Sequence, residues 1–373
     1  MDIKKIKLPF RIKRPVLGLG GHTKNTVCFA KGNYAYLSRP HPDLANLKDL
    51  LAFEKDAGYF LRKKPRVIAY DLHPEYQSTK FALSLPPVAC HRPPVQHHHA
   101  HIASCMAENG LANRKVIGVA FDGTGLGENN ALWGGEFLIC DYRSFTRLAH
   151  LKEVPLLGGE RAILQPWRVA GAWLGQVYKE KLFDLPVDLV RGIDKEKWRV
   201  LKRMHVSAFN CPLTSSMGRL FDAVGSLVLS KLKAGFEAEL AISLEKLACR
   251  CNAAVRGYDF SLEKNSEMYI INPAIMFKGI IRDLAQKAPK ERIAYSFHLT
   301  VAEMISRVCI KLRKKTGLNL IVLSGGVFQN NLLLNLSLDL LYRNGFTVAR
   351  HKKLSSSDLS LSLGQAAIAN AGS

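Results

Sequence analysis

The chain reads as an α/β protein of two lobes, the second interrupted by a long helical insertion. Three observations predict this. Strand-length hydrophobic runs alternate with helix-periodic segments near both ends of the sequence. Two of those runs, 16–21 and 116–127, each feed a glycine-rich turn, a faint sign of internal duplication. Between about 160 and 310 the pattern turns mostly helical, with prolines at 166 and 212 marking joints. The lobes are expected at 1–115 and 116–373, and 373 residues suffice for two such units.

The elements follow in order. Residues 16–38 predict two strands joined by a turn at Lys31-Gly32-Asn33. The periodic stretch 44–61 predicts a helix, 66–70 a short strand ending at Asp71, and 74–84 another helix. An extended 95–97 leads into a helix over 98–109. VIGVAFDG, from 116, is a strand with an acid at its end, and 133–141 and 147–153 continue it in antiparallel fashion. Towards the other terminus, 318–328 is a strand feeding a helix, 346–350 a strand, and 358–371 the closing helix.

Composition narrows the partners. With 53 Lys and Arg against 31 Asp and Glu, the formal charge is +22, which favours phosphorylated ligands, nucleic acid or an acidic protein. The basic residues cluster at 4–14, 62–66 and 311–315, each either solvated surface or a docking surface. Eight cysteines show no C-x-x-C pair; Cys249 and Cys251 form a lone C-x-C, too little for a zinc knuckle. A reducing, cytoplasmic setting is therefore expected. The first residues lack the apolar run of a signal peptide, and apolar runs elsewhere look short for a bilayer, so no membrane role is expected.

The chemistry concentrates in V-Q-H-H-H-A-H at 95–101. His97 and His101 are four apart, so on a helix both imidazoles point the same way, which is metal-ligand geometry. Imidazoles with a carboxylate suit zinc or iron. Asp358, after three serines, is the candidate third ligand; a helix N-cap is the competing role. His98 and His99 are candidates for contacting a ligand or supporting the metal ligands.

Two glycine-rich turns look built for anions. D-G-T-G-L-G at 122–127 offers the backbone of Gly125 and Gly127, the hydroxyl of Thr124, and Asp122 facing the ligand or its cation. Ser324-Gly325-Gly326 ends a strand and opens a helix, with Asn330 just beyond. Neither turn has Walker or Rossmann spacing. Lys24 is either an exposed hairpin lysine or a contact to a carbonyl or phosphate. Arg219, in S-S-M-G-R-L-F-D, is either a buried, paired arginine or an anion clamp. No nucleophile stands out, which fits a transferase whose nucleophile belongs to the acceptor.

Taken together, LGLGGHTKNTVCFAKGNYAYLS (17–38), YDLHPEYQSTKFA (70–82), VQHHHAHIAS (95–104), GVAFDGTGLGENNALWGGEF (118–137), CPLTSSMGRLFDAV (211–224) and LSGGVFQN (323–330) resemble the TsaD-like, Kae1-like region of the HypF family of NiFe-hydrogenase maturation. The resemblance runs in family order across nearly the whole chain. It implies an actin/hexokinase-like fold with ATP, AMP or carbamoyl-adenylate in the crevice. It implies a divalent metal held by His97, His101 and Asp358, and a phosphate cradle at Thr124, Gly125, Gly325 and Gly326. It also implies carbamoyl transfer to the C-terminal cysteine of a HypE-like acceptor, with carbamoyl-adenylate supplied by a separate YrdC-like protein or domain.

Three motifs depart from the family: R-P-H-P-D-L (39–44) stands for a Q-H-I-G-D-L-like run, Asn129-Asn130-Ala131 for a D-D-G-like turn, and the segment around Asp358 is altered. Where the pattern has two glycines after the ligand aspartate, this chain has Leu359 and Ser360, which is expected to weaken the nucleotide site while sparing the metal. Two other readings stay open: a nucleotide- and metal-binding paralogue acting on another acceptor or as an assembly factor, and a tRNA-modifying role.

Overall fold

The computed structural model describes residues 3–86 and 90–372. The first lobe is built on a four-stranded sheet in the order Cys28–Leu37, Lys4–Gly18, Val67–Asp71, Pro94–Val95. The first pair is antiparallel and the others parallel. Lys4–Gly18 begins well before the strand expected at 16. Its Ile6, Leu8, Ile12 and Val16 are buried while Lys5, Lys7, Arg11 and Lys13 face water. The first basic cluster is thus the outer face of a long strand, and its charges mask the period of two.

In the second lobe the central strand is Val116–Leu126, antiparallel to Leu132–Cys140 and parallel to Leu320–Ser324. Phe145–Leu151 and Thr347–Arg350 extend the sheet on either side. Beyond Phe145–Leu151 lies a hairpin, Ser261–Asn265 with Met268–Asn272, inside the stretch expected to be mostly helical. Ile271 is its one fully buried residue, so it carries almost no amphipathic signal. The helices of the insertion cover this lobe around a core that includes Phe121, Phe137, Phe221, Phe297 and Trp173. One of them, Lys290–Thr316, is long and apolar enough to cross a bilayer by length and composition, but 72% of its most apolar window is buried inside the protein.

Two helices lie between the sheets and set the site. His97–Glu108 is buried along all 12 residues, and Leu361–Ala371 packs against it and against the first-lobe sheet. Approach is backbone to backbone: a Cβ on Gly364 would lie 1.9 Å from the Ala100 carbonyl, and one on Gly18 2.2 Å from that of Ser362. The closing helix therefore returns to the first lobe, although it follows the second in sequence. That return brings Asp358, just before the helix, to the histidines of the other.

Candidate metal and nucleotide site

Gln96 caps the histidine helix: its Oε1 accepts from the His99 N–H at 2.9 Å. From that first turn, His97 and His101 project together. Their ligand atoms and those of Asp122 and Asp358 all lie within 4.8 Å of one another. His101 Nε2 is 2.8 Å from Asp122 Oδ2 and 3.5 Å from Asp358 Oδ1. His97 Nε2 is 3.3 Å and 3.8 Å from the same two oxygens. On its other side His97 Nδ1 lies 2.8 Å from Asp71 Oδ2, so Nδ1 donates and Nε2 is left to face the carboxylates.

The electrostatics describe a cation's niche. Burial opposes charge on both imidazoles, yet the carboxylates outweigh it: Asp71 and Asp122 raise His97 well above its usual pKa, and Asp122 and Asp358 raise His101. Burial would raise Asp122, but His101 and His97 hold it well below the usual carboxylate range. Two imidazoles and two carboxylates match the donor set of zinc or iron. The residues present fit such an ion.

Asp122 does more than face the cluster. Its Oδ1 accepts from the Gly123 and Gly326 N–H groups at 2.8 and 3.1 Å, tying the two glycine-rich turns together. Asp358 is the first residue of a short 3-10 turn whose N-cap position is Ser357, so the N-cap role is not the one observed. No residue from 355 to 361 has a positive φ, so Leu359 and Ser360 sit there without backbone strain.

A cavity of about 450 Å³ opens from Asp122 and Gly123 into the second lobe. Lys24, Arg219, Gly326 and Asn330 line it with Asp122, five of the predicted residues brought together. Arg219 is buried, and its Nε and Nη1 have no hydrogen-bond partner. Its Nη2 is 3.0 Å from Asp222 Oδ2, near enough for an ion pair but out of line for a hydrogen bond. Burial raises Asp222 to about 6 despite Arg219. Asp222, Glu237 and Glu245 also line this cavity and were not singled out in the sequence. Asp222 was the legible one, three residues beyond Arg219 on a helix. Unpartnered guanidinium nitrogens suit a phosphate, and the acids suit sugar hydroxyls.

Thr124 and Gly125 fall elsewhere. They line a second cavity of about 540 Å³ with His22, His73, Tyr76 and Arg161. Gly125 packs on the histidine helix, where a Cβ would lie 2.6 Å from His98 and 2.8 Å from His97. His98 is held neutral, its pKa lowered to about 3 by burial and then by His97. Gln96 Nε2 donates to His98 Nδ1 at 3.1 Å, so the proton sits on Nε2, which has no partner.

Other predicted residues stand apart from both cavities. His99 is turned away, its Nε2 2.6 Å from the Asp141 carbonyl. Gly127 gives room to Trp133, whose indole nitrogen would lie 2.1 Å from an added Cβ. Ser324 is buried and pairs with His351 at 2.9 Å. Gly325, at φ +105°, lets the turn press onto the Phe121 carbonyl, where a Cβ would sit at 2.1 Å. These last two shape the turn rather than line its cavity.

Comparison with known proteins decides the family. The family described as "Carbamoyltransferase, Kae1-like Domain, second subdomain" matches residues 118–365, and "HypF Kae1-like domain" matches 11–108. The chain belongs to the HypF family. It is 32% identical to "Carbamoyltransferase HypF2" of Cupriavidus necator over 95% of this chain and 46% of that protein. A "Carbamoyltransferase HypF homolog" from the same organism is also 32% identical and is covered over 91% of its length, with 95% of this chain. Full-length HypF in a phosphate- and nucleotide-bound crystal structure aligns with a TM-score of 0.91 and 37% identity, over 98% of this chain and 47% of that one. HypF of T. kodakarensis aligns at 0.86 and 29% identity, over 98% and 49%. This HypF-family chain spans about half the length of most curated relatives it matches, and shares their two-lobed α/β fold.

Proposed function

We propose that this chain performs the transfer step of a HypF-type carbamoyltransferase. A carbamoyl group passes from carbamoyl-adenylate to the C-terminal cysteine thiol of a HypE-like acceptor. The observation that carries this reading is the position of Asp122. Its carboxylate joins the His97–His101–Asp358 cluster on one side and the Gly123 and Gly326 N–H groups of the Arg219 cavity on the other. A nucleotide in that cavity would place its phosphate end beside the cluster. The likeness to a nucleotide-bound HypF supports the same assignment.

In the reaction a sulfur–carbon bond forms, the carbon–oxygen bond to the phosphate breaks, the thiol proton is lost and AMP leaves. The unpartnered nitrogens of Arg219 stabilise charge on the leaving phosphate. His98, fully buried and lining neither cavity, supports the cluster from behind rather than contacting the carbamoyl group. A bound zinc or iron ion supplies Lewis acidity for the carbamoyl or phosphoryl oxygen. Lys24, at the cavity rim, adds positive charge. Carbamoyl-adenylate comes from a separate YrdC-like protein or domain.

The test supplies carbamoyl-adenylate from a purified YrdC-like protein together with a HypE-like acceptor. Intact-mass measurement should show one carbamoyl group on the terminal cysteine. An unmodified acceptor, with nucleotide still bound by this chain, would make it a nucleotide-binding assembly factor instead.

A further inference from the structure

The fold brings together two of the three basic clusters, and the proposed transfer reaction uses neither. Arg11 and Lys13 come from the first strand, Lys63 follows the helix Leu47–Leu61, and Lys31 lies within the strand Cys28–Leu37, where the turn expected at 31–33 is instead an irregularity in one continuous strand. They line a groove of about 1050 Å³ on the first lobe, floored by Phe29, Tyr36, Tyr59 and Phe60. Among the described residues, no acidic one lines it. None of the metal-cluster or Arg219-cavity residues reaches it.

We propose that this groove docks an acidic polypeptide segment of a partner protein. Charge complementarity is the first reason. Arg11, Lys31 and Lys63 around a half-apolar floor, with no carboxylate among the described lining residues, are a standing attraction for Asp- or Glu-rich chain. The state of the aromatic rings is the second, and it separates polypeptide from single-stranded nucleic acid. Sequence-tolerant binding of single strands needs open ring faces on which bases stack. Here Phe29 is stacked on Phe60, with centroids 5.8 Å apart. Lys63 Nζ sits 4.6 Å over the Tyr59 ring. Those rings are engaged within the lobe, and Tyr36 alone makes no platform. Carboxylates need no ring face: they meet the ammonium and guanidinium groups at the rim, while apolar side chains of the segment rest on the floor.

The inference goes beyond the transfer reaction and stands whether or not that reaction occurs. The test uses the intact chain and a fluorescein-labelled oligoglutamate peptide, read by anisotropy. Saturable binding is expected, weakening as sodium chloride rises from about 50 to about 200 mM. The triple variant Arg11→Glu/Lys31→Glu/Lys63→Glu should bind at least about tenfold more weakly. The control Lys311→Glu/Lys314→Glu reverses charge in the third cluster and should bind like the parent. All substituted side chains are exposed, so circular dichroism and nucleotide affinity should match the parent. Equal loss in both variants would show attraction to net charge alone, and the proposal falls. It falls equally if the triple variant binds like the parent. An oligouridylate that binds more tightly than the peptide, and is lost in the triple variant, would make the groove a nucleic-acid site instead.

Discussion

Asp71 Oδ2 lies 2.8 Å from His97 Nδ1, both groups fully buried, so the carboxylate fixes which imidazole nitrogen faces the cluster. Asp71 ends its strand in the YDLHP motif, and its other oxygen accepts from the His73 N–H at 2.9 Å. Asp71→Asn keeps an acceptor for His73 but removes the negative charge behind His97. Zinc affinity, measured by chelator competition, should fall about 10- to 100-fold with the fold retained. Unchanged affinity would mean the imidazole is oriented without Asp71.

His101 reaches Asp122 and Asp358 with the same nitrogen. His101→Ala should reduce metal content to background by elemental analysis while far-ultraviolet circular dichroism stays native. Full metal occupancy in that variant would overturn the ligand assignment.

Gly125 offers a way to disturb the cluster without removing a ligand. Its backbone is ordinary strand, so alanine costs no φ strain, but the new methyl meets His98 and His97 well inside contact distance. Gly125→Ala should displace the imidazoles and lower metal affinity at least about tenfold, with a stability loss of about 1–3 kcal/mol from overpacking. Metal titration and urea unfolding read the two effects separately.

Arg219 tests the anion role. A lysine could keep the charge but not the planar fork, and it would be buried against Asp222. Arg219→Lys should weaken ATP binding by about tenfold or more in calorimetry, an effect of roughly 1.5–3 kcal/mol for a charge-assisted contact. Equal affinity would place the phosphate elsewhere.

The sequence made the chemistry more legible than the frame. His97 and His101 declared themselves by spacing, and Asp358 as the candidate carboxylate after three serines, which the resemblance then supported. Asp122 was visible as a strand-end acid facing a cation, but its place as a fourth member of the cluster depends on a 101-to-122 contact that no local pattern encodes. The glycines were legible as turns and not as partners. Gly125 and Gly326 lie on different cavities because Asp122, between them, binds Gly326 while the strand carries Gly125 on towards His97. Leu359 and Ser360 looked like damage to a nucleotide turn. In the fold they line neither cavity: Ser360 bonds Ser104 at 3.1 Å, and the Leu359 carbonyl accepts from Thr26. The long basic strand and the half-exposed hairpin escaped because charge and exposure erase alternation.

Glu108 supplies the last prediction. It ends the histidine helix and reaches the segment that leads to Asp358. One oxygen accepts from the N–H groups of Lys352, Lys353 and Leu354, and the other lies 2.6 Å from His351 Nδ1. Through His351 it also touches Ser324, at the start of the double-glycine turn. Burial would raise this carboxyl, but His351 and the backbone donors win and hold it at about 2, against an ordinary 4.5. A depressed carboxyl stabilises the folded state above its unfolded pKa, and that contribution is lost as pH falls through the folded one. The window is therefore about pH 4.5 down to about 2, and the contribution at neutral pH is at most about 3 kcal/mol. Glu108→Gln should lower stability near neutrality by up to that amount and flatten the pH dependence through the window. Urea unfolding across a pH series reads both. Parallel curves for variant and parent would show that the acid sensitivity arises from other carboxylates, and that the clamp on the Asp358 segment rests on packing rather than on this charge.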